Sequence, residues 1–274
     1  MKKYIKLILL LIEVLAFFFI AYICFALPIL EVIQGISVSV IDFNIESLLL
    51  KYAGLTKLIL CIVFEIMYCK YLWIYNSEKI IFGAGDSYKD YPYCIYYISA
   101  KVLGYKYCTL KNVPTWLQFK LILSNCFSHY LTGDNLDEEK NNLTKDSSKP
   151  KTVEKNIDST CNVVNLILVD TYPINMNLLP KDIYDTHYII IQRSESFDGN
   201  RYYNQKFVNQ IQKSIYGLSN QIDTINVYAT TNPKHNMDIV QNIFSKGNRT
   251  HIKHINVAIQ TNETWKFEKL KKVK

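Results

Sequence analysis

Apolar residues dominate the start of the chain and return later in a different rhythm. The first run, residues 7–33, is broken only by Glu13, Pro28 and Glu31. It is longer than the roughly 20 residues that cross a bilayer. The second, residues 58–74, contains Glu65 and Lys70, and Lys70 lies near enough to its end to snorkel. The pattern predicts a transmembrane helical hairpin over residues 1–76. If the runs are antiparallel, Glu13 and Glu65 fall at nearly the same depth, about ten residues from one membrane face. A carboxyl at the centre of a span costs about 2.5–3.5 kcal/mol on insertion scales, so both are expected to face protein or water, in a packing or pore-lining role. A secretory signal peptide is the rival reading of the first run. The run exceeds an ordinary h-region, Glu13 interrupts it, and no small-x-small cleavage site follows.

From Asn162 the period shortens. Residues 163–170, 187–193, 224–229 and 252–259 are Val- and Ile-rich runs of strand length. Strands apolar on both faces belong to a sheet covered on both sides. Between them lie two helical patterns. Residues 202–216 align Tyr203, Phe207, Val208, Ile211 and Ile215 ahead of Gly217, and residues 236–246 align Met237, Val240, Ile243 and Phe244 ahead of Gly247. This alternation predicts an α/β fold, a Rossmann-like, mostly parallel sheet about the size of one mononucleotide-binding half. The expected order is therefore a hairpin (1–76), a Tyr-rich juxtamembrane region (77–132), a flexible linker (133–160) and the α/β domain (161–274). The linker rests on a segment with almost no apolar residues and charges of both signs. Residues 115–131 carry an amphipathic helical pattern suited either to the bilayer surface or to the soluble domain. Gly83-Ala84-Gly85 reads as a turn, since no P-loop Lys-Ser/Thr follows it.

Charge then orients the hairpin. Lys2, Lys3 and Lys6 precede the first run, Lys51 alone lies in the short loop before the second, and Lys70, Lys79 and Lys89 come at or after the second's end. The positive-inside rule puts both termini in the cytoplasm. The chain carries a net charge of +7, and its Lys-rich tail suits a position near anionic headgroups. Seven cysteines without a C-x-x-C pair argue against a disulfide framework or a zinc site. No cofactor is expected. Three N-x-T sequons, at Asn142, Asn248 and Asn262, mean little on a cytoplasmic domain.

Ligands of open parallel sheets bind outside the carboxyl ends of the strands. Those ends supply Asp170 and Thr171, then Gln192, Arg193 and Ser194, then Thr230, Thr231, Asn232, Lys234 and His235, and last Gln260, Thr261 and Asn262. The third junction, YATTNPKHN, is a polar turn into a helix whose positive end would face an anion, with Arg193, Lys234 and His235 to neutralise phosphate. Thr230, Thr231 and Asn232 fit ligand contact and ordinary turn or N-cap chemistry equally, and Lys234 and His235 fit binding or plain solvent exposure. Asp170 reads as a turn residue and not as a base. The sequence carries no nucleophile elbow, kinase set, zincin helix or P-loop, so no enzyme is expected.

Residues 223–267, with INVYATT, NPKHNMDIVQNIF and IKHINVAIQTNETWKF, resemble the C-terminal half of the SAVED domains of bacterial antiphage systems. With two spans ahead of it, the chain is similar to the two-transmembrane SAVED effectors of cyclic-oligonucleotide antiphage signalling (CBASS). The resemblance implies a sensor for a cyclic oligonucleotide made by a partner cyclase, followed by self-association and perturbation of the inner membrane. Only Thr230, Thr231, Lys234 and His235 occupy positions where that pattern would place ligand contacts. SAVED domains combine two Rossmann-like halves, whereas residues 162–274 suffice for about one, which leaves open a second half from residues 77–132 or a single CARF-like unit. A membrane-anchored enzyme for nucleotide or phosphate chemistry and a constitutive membrane scaffold are the alternatives.

Overall fold

The computed structural model describes residues 2–26, 53–83, 87–133, 143–155, 162–194, 197–245, 251–261 and 265–274. The expected C-cap Gly247, the sequon asparagines, Ala84, Gly85 and Cys161 lie outside these residues, as do most of the loop between the apolar runs and part of the expected linker. The chain divides into two compact units, residues 1–82 with 97–106, and residues 83–96 with 107–274.

In the first unit, helices α1 (Lys2–Ala26) and α2 (Ala53–Asn76) pack together. The stretches Lys6–Ala26 and Lys57–Asn76 are each long and apolar enough to cross a membrane. Phe17 packs edge-on against Tyr68 at 4.9 Å, and Lys57 Nζ donates to Phe25 O at 3.5 Å, so the helices are antiparallel. This register sets Glu13 level with Leu72 and Glu65 level with Ile20, about 10 Å apart along the hairpin. The equal depth expected from counting along each run is therefore corrected: side-chain packing, not distance from the ends, fixes the register. Glu13 accepts from Asn76 Nδ2 at 3.3 Å and from the Tyr105 hydroxyl at 3.5 Å, while the Tyr68 hydroxyl bonds its backbone carbonyl at 3.1 Å. Glu65 keeps one buried carboxyl oxygen, Oε2, without a hydrogen-bond partner among the described residues.

The second unit is built on a six-stranded sheet. Helix α3 (Tyr93–Lys101) precedes two short strands, β1 (Tyr107–Thr109) and β2 (His129–Leu131), which pair in parallel. Strand β3 (Thr144–Lys145) comes next and later pairs with β7 (Tyr202–Tyr203). The main sheet comprises β4 (Lys151–Lys155), β5 (Val163–Val169), β6 (Tyr188–Gln192), β8 (Thr224–Ala229), β9 (His254–Gln260) and β10 (Phe267–Lys272). Their spatial order is β10-β9-β8-β5-β6-β4, with four parallel strands flanked by antiparallel β10 and β4.

Period-two alternation covers both faces. One face carries Val164, Leu166, Leu168, Ile225, Val227, Ile255 and Val257 under helices α4 (Thr115–Leu123), α5 (Gln205–Tyr216) and α6 (Pro233–Ile239). The other carries Ile167, Val169, Tyr228 and Ala258 under Leu179 and Ile183 of the β5–β6 connection. The two kinds of connection run in opposite directions across the sheet, so right-handed crossovers place them on opposite faces. Asn165, Asn226 and Asn256 occupy aligned positions of β5, β8 and β9. Asn226 Nδ2 donates to Asn165 Oδ1 at 3.0 Å, and Asn256 Nδ2 to Asn226 Oδ1 at 2.9 Å. A one-residue slip would oppose these amides with apolar side chains, so the ladder reinforces the register.

Two expectations change here. The segment read as linker contributes β3 and the edge strand β4, whose five residues are all exposed. The region read as juxtamembrane supplies α4, which buries Leu117, Phe119, Leu121 and Ile122 and packs on α6 and β9. Part of the Tyr-rich stretch is core: Tyr96 is fully buried and its hydroxyl donates to Lys89 O at 2.7 Å. The described residues contain one Rossmann-like sheet.

Candidate functional site

Strands β5 and β8 are neighbours whose onward connections diverge, β5 toward β6 and β8 toward β9. Such a divergence opens a crevice beyond the carboxyl ends of the strands. A cavity of about 270 Å³ occupies it, lined by Thr171, Tyr172 and 229–233 from the β5 and β8 ends and by 258–261 with Trp265 from β9 and the turn after it. Tyr88, Arg201 and residues 112–116 with Gln118 complete the lining. Four aromatic side chains thus surround a volume at the small end of ligand pockets, with Arg201 the single cationic residue among the lining.

Local bonds fix this lining. The Tyr172 hydroxyl donates to Gln260 Oε1 at 2.7 Å, Gln260 Nε2 donates to Trp265 O at 3.0 Å, and the Tyr172 and Trp265 rings meet edge to face at 5.5 Å. Burial raises the Tyr172 phenol, Tyr88 adds to the rise, and Arg201 opposes it. Arg201 follows a tight turn in which Gly199 has φ +78° and Asp198 accepts from Asn200 N at 3.0 Å and the Tyr202 hydroxyl at 2.5 Å. The arginine is exposed and has no ion pair among the described residues.

Beneath the cavity lies a buried polar network centred on Asp170, which is fully buried. Its Oδ2 accepts from Asn232 N at 3.0 Å, Asn232 Nδ2 at 2.9 Å and His235 Nδ1 at 2.7 Å, while Oδ1 faces Arg193 Nε at 2.8 Å. His235 Nε2 takes the backbone N–H of Asn204 at 2.9 Å. That contact assigns the proton to Nδ1 and makes the imidazole neutral. Arg193 also pairs with Asp146 and lies over the Tyr202 ring at 5.1 Å. Asp146 accepts from Ser148 N and Oγ, both at 2.8 Å, and from Asn204 Nδ2 at 3.2 Å. Burial raises the Asp146 pKa, but the bonds from Ser148, Asn204 and Arg193 outweigh it and hold the carboxyl at about 2. Its folded pKa lies below the unfolded value, so its stabilisation is present above about pH 4 and is lost as pH falls toward 2. Asp146→Asn is therefore expected to be less stable than wild type at neutral pH and to converge on it as pH falls toward 2, as chemical unfolding followed by circular dichroism at pH 7 and at pH 2 would show.

Five residues were expected to contact ligand, and the structure separates them. Thr230 and Thr231 line the cavity, but their hydroxyls are engaged internally: Thr230 Oγ1 donates to Tyr172 O at 3.0 Å, and Thr231 bonds the Asn236 side chain. Arg193 and His235 are buried in the network, 3% and 0% exposed, and do not line the cavity. Lys234 pairs with Asp238 at 3.6 Å outside the lining. The reason is that the sheet end needs its own charge balance: burying Asp170 demands cationic and N–H partners, and Arg193 and His235 are the nearest. Asn232 caps α6, its side chain accepting from His235 N at 2.9 Å. Asp170 is a structural centre, in keeping with its reading as an ordering residue. Sequence reasoning missed Arg201, Tyr172, Trp265, Trp116 and Tyr88. The signal for Arg201 was Asp-Gly-Asn-Arg, a tight turn before a helix, and for Trp265 a lone tryptophan in the turn between the last two strands.

The apolar hairpin and the switch-point cavity define a two-span membrane protein carrying a Rossmann-like α/β domain. The whole chain, residues 1–274, matches the model of the SMODS- and Ubiquitin system-associated 2TM effector domain, and the protein belongs to that family. The family membership meets the expectation of a two-transmembrane effector. Among solved structures, the chain is similar to the Acinetobacter baumannii Cap4 SAVED/CARF-domain containing receptor. With the cyclic trinucleotide 3′3′3′-cAAA the identity is 7%, the TM-score 0.45, and the match covers 66% of this chain and 42% of that one. With 2′3′3′-cAAA it is 8% and 0.45, covering 66% and 41%. The chain thus spans about two fifths of the length of those receptors. Comparison with curated proteins gave no match.

Proposed function

We propose that this protein is an effector of bacterial antiviral defence whose α/β domain binds a cyclic oligonucleotide made by a partner nucleotide cyclase. Binding drives self-association, and the clustered hairpins disrupt the inner membrane, with both termini cytoplasmic. The observation that carries this reading is the cavity at the β5/β8 divergence, where four aromatic side chains meet Arg201, which has no ion pair among the described residues. Aromatic faces stack bases, and a guanidinium matches a phosphodiester. Membership of a SMODS-associated effector family supports the cyclase as the ligand's source. Glu65, with a buried carboxyl oxygen that has no hydrogen-bond partner among the described residues, supports hairpin clustering as the output, since a second hairpin would satisfy it.

A ligand shifts the assembly only if it prefers the clustered state. Light scattering of the full chain in detergent, with and without cyclic di- and trinucleotides, is expected to show a mass increase with one ligand class and none with linear mononucleotides. An unchanged mass with every ligand, despite binding, would remove self-association from the account.

A further inference from the structure

The end of α2 nearest residue 76 carries a second cavity, of about 480 Å³, lined by Cys69, Lys70, Trp73, Ile74, Ser77 and Lys106. Local chain geometry builds it. Trp73 Nε1 donates to Val102 O at 3.0 Å and Asn76 Nδ2 to Leu103 O at 2.9 Å, which ties this segment to the helix. Gly104 has φ +80°, and a Cβ there would lie 2.5 Å from Trp73 Cα. Glycine therefore allows the close approach that delivers Lys106 to the cavity beside Lys70.

Both lysines are exposed, and neither has an ion pair or hydrogen bond among the described residues. Two cations lining one cavity repel each other and are best accommodated with an anion between them. Lys70 lies six residues before the end of the second apolar span at Asn76, about 9 Å along the helix axis, within the reach of a snorkelling side chain. At that depth the available anion is the phosphate of a lipid headgroup. Trp73 is the residue type that anchors at the headgroup level, and Cys69 and Ile74 offer apolar surface to the adjoining glycerol and acyl carbons.

We propose that this cavity is a binding site for an anionic phospholipid headgroup, with Lys70 and Lys106 holding its phosphate. The site is independent of the cyclic-oligonucleotide reading and ties the end of the second span to the lipid composition of the leaflet. Native mass spectrometry of the full chain, released from nanodiscs of equimolar phosphatidylglycerol and phosphatidylcholine, tests it. Wild type is expected to retain phosphatidylglycerol preferentially. Lys70→Gln/Lys106→Gln is expected to lower that retention about tenfold or more, and Lys70→Arg/Lys106→Arg to preserve it. Lys272→Gln/Lys274→Gln, which removes equal charge elsewhere, should leave it unchanged. Equal retention of phosphatidylcholine, equal loss in the tail variant, or displacement by millimolar inorganic phosphate would overturn the proposal. Circular dichroism of each variant separates loss of the lipid from loss of the fold.

Discussion

Asp170→Ala is expected to unfold the α/β domain or to cost it about 3–5 kcal/mol, a large share of the stability of an ordinary domain. The carboxylate is fully buried and is shared by Arg193, His235 and Asn232. Its removal leaves the Arg193 guanidinium, itself only 3% exposed, without one of its two carboxylate partners, and leaves the Asn232 and His235 donors without an acceptor. Chemical unfolding of the full chain in detergent, followed by far-ultraviolet circular dichroism, gives the cost. Combining Asp170→Ala with Arg193→Met should cost clearly less than the two single changes together, because no unpaired charge then remains beside the vacated site. Strict additivity would mean that Asp170 and Arg193 do not act as a pair. For the same reason Arg193→Glu is expected to fail as a binding-only variant: it places three carboxyls in one buried site.

The second large effect belongs to Arg201. Its side chain is exposed at a cavity otherwise lined by uncharged residues, so Arg201→Ala should leave the unfolding midpoint within error of wild type. A guanidinium–phosphate hydrogen bond contributes about 1.5–3 kcal/mol, so the same change should raise the Kd for the proposed cyclic-oligonucleotide ligand roughly tenfold to a hundredfold. Lys234→Ala, outside the lining and paired with Asp238, is expected to leave affinity near wild type. The reverse ranking, with Lys234 critical and Arg201 dispensable, would move the anion site to the N-terminal side of α6.

The parallel strands were legible because their apolar runs are buried on both faces, and the residues found in β5, β6 and β8 lie within the runs read from sequence. The edge strands were not. β4, Lys-Thr-Val-Glu-Lys, is exposed along its whole length, so nothing in its composition separates it from a solvated linker. β10, Phe-Glu-Lys-Leu-Lys-Lys, buries only Phe267 and reads as a basic tail. The Asn165–Asn226–Asn256 ladder left a trace in the repeated pattern of an asparagine set between apolar residues, but its meaning depends on the strands being adjacent.

The site was legible by place and not by residue. The strand-end rule led to the ends of β5 and β8, and the cavity is there. Choosing side chains by charge then favoured Arg193 and His235, which the fold consumes in balancing Asp170. Arg201, Tyr172 and Trp265 reach the cavity from turns, Tyr88 from the segment before α4 and Trp116 from its first turn, and choosing strand-end residues by charge passes over all of them.

Two of the chain's three tryptophans, Trp116 and Trp265, line the proposed ligand cavity. The most direct measurement is therefore an equilibrium titration of full-length protein in nanodiscs with a panel of cyclic di- and trinucleotides, read by tryptophan fluorescence. Saturable quenching by a cyclic oligonucleotide, weakened at least tenfold by Arg201→Ala, is the predicted result. No binding of any cyclic di- or trinucleotide by the folded protein, by fluorescence or calorimetry, would contradict the account.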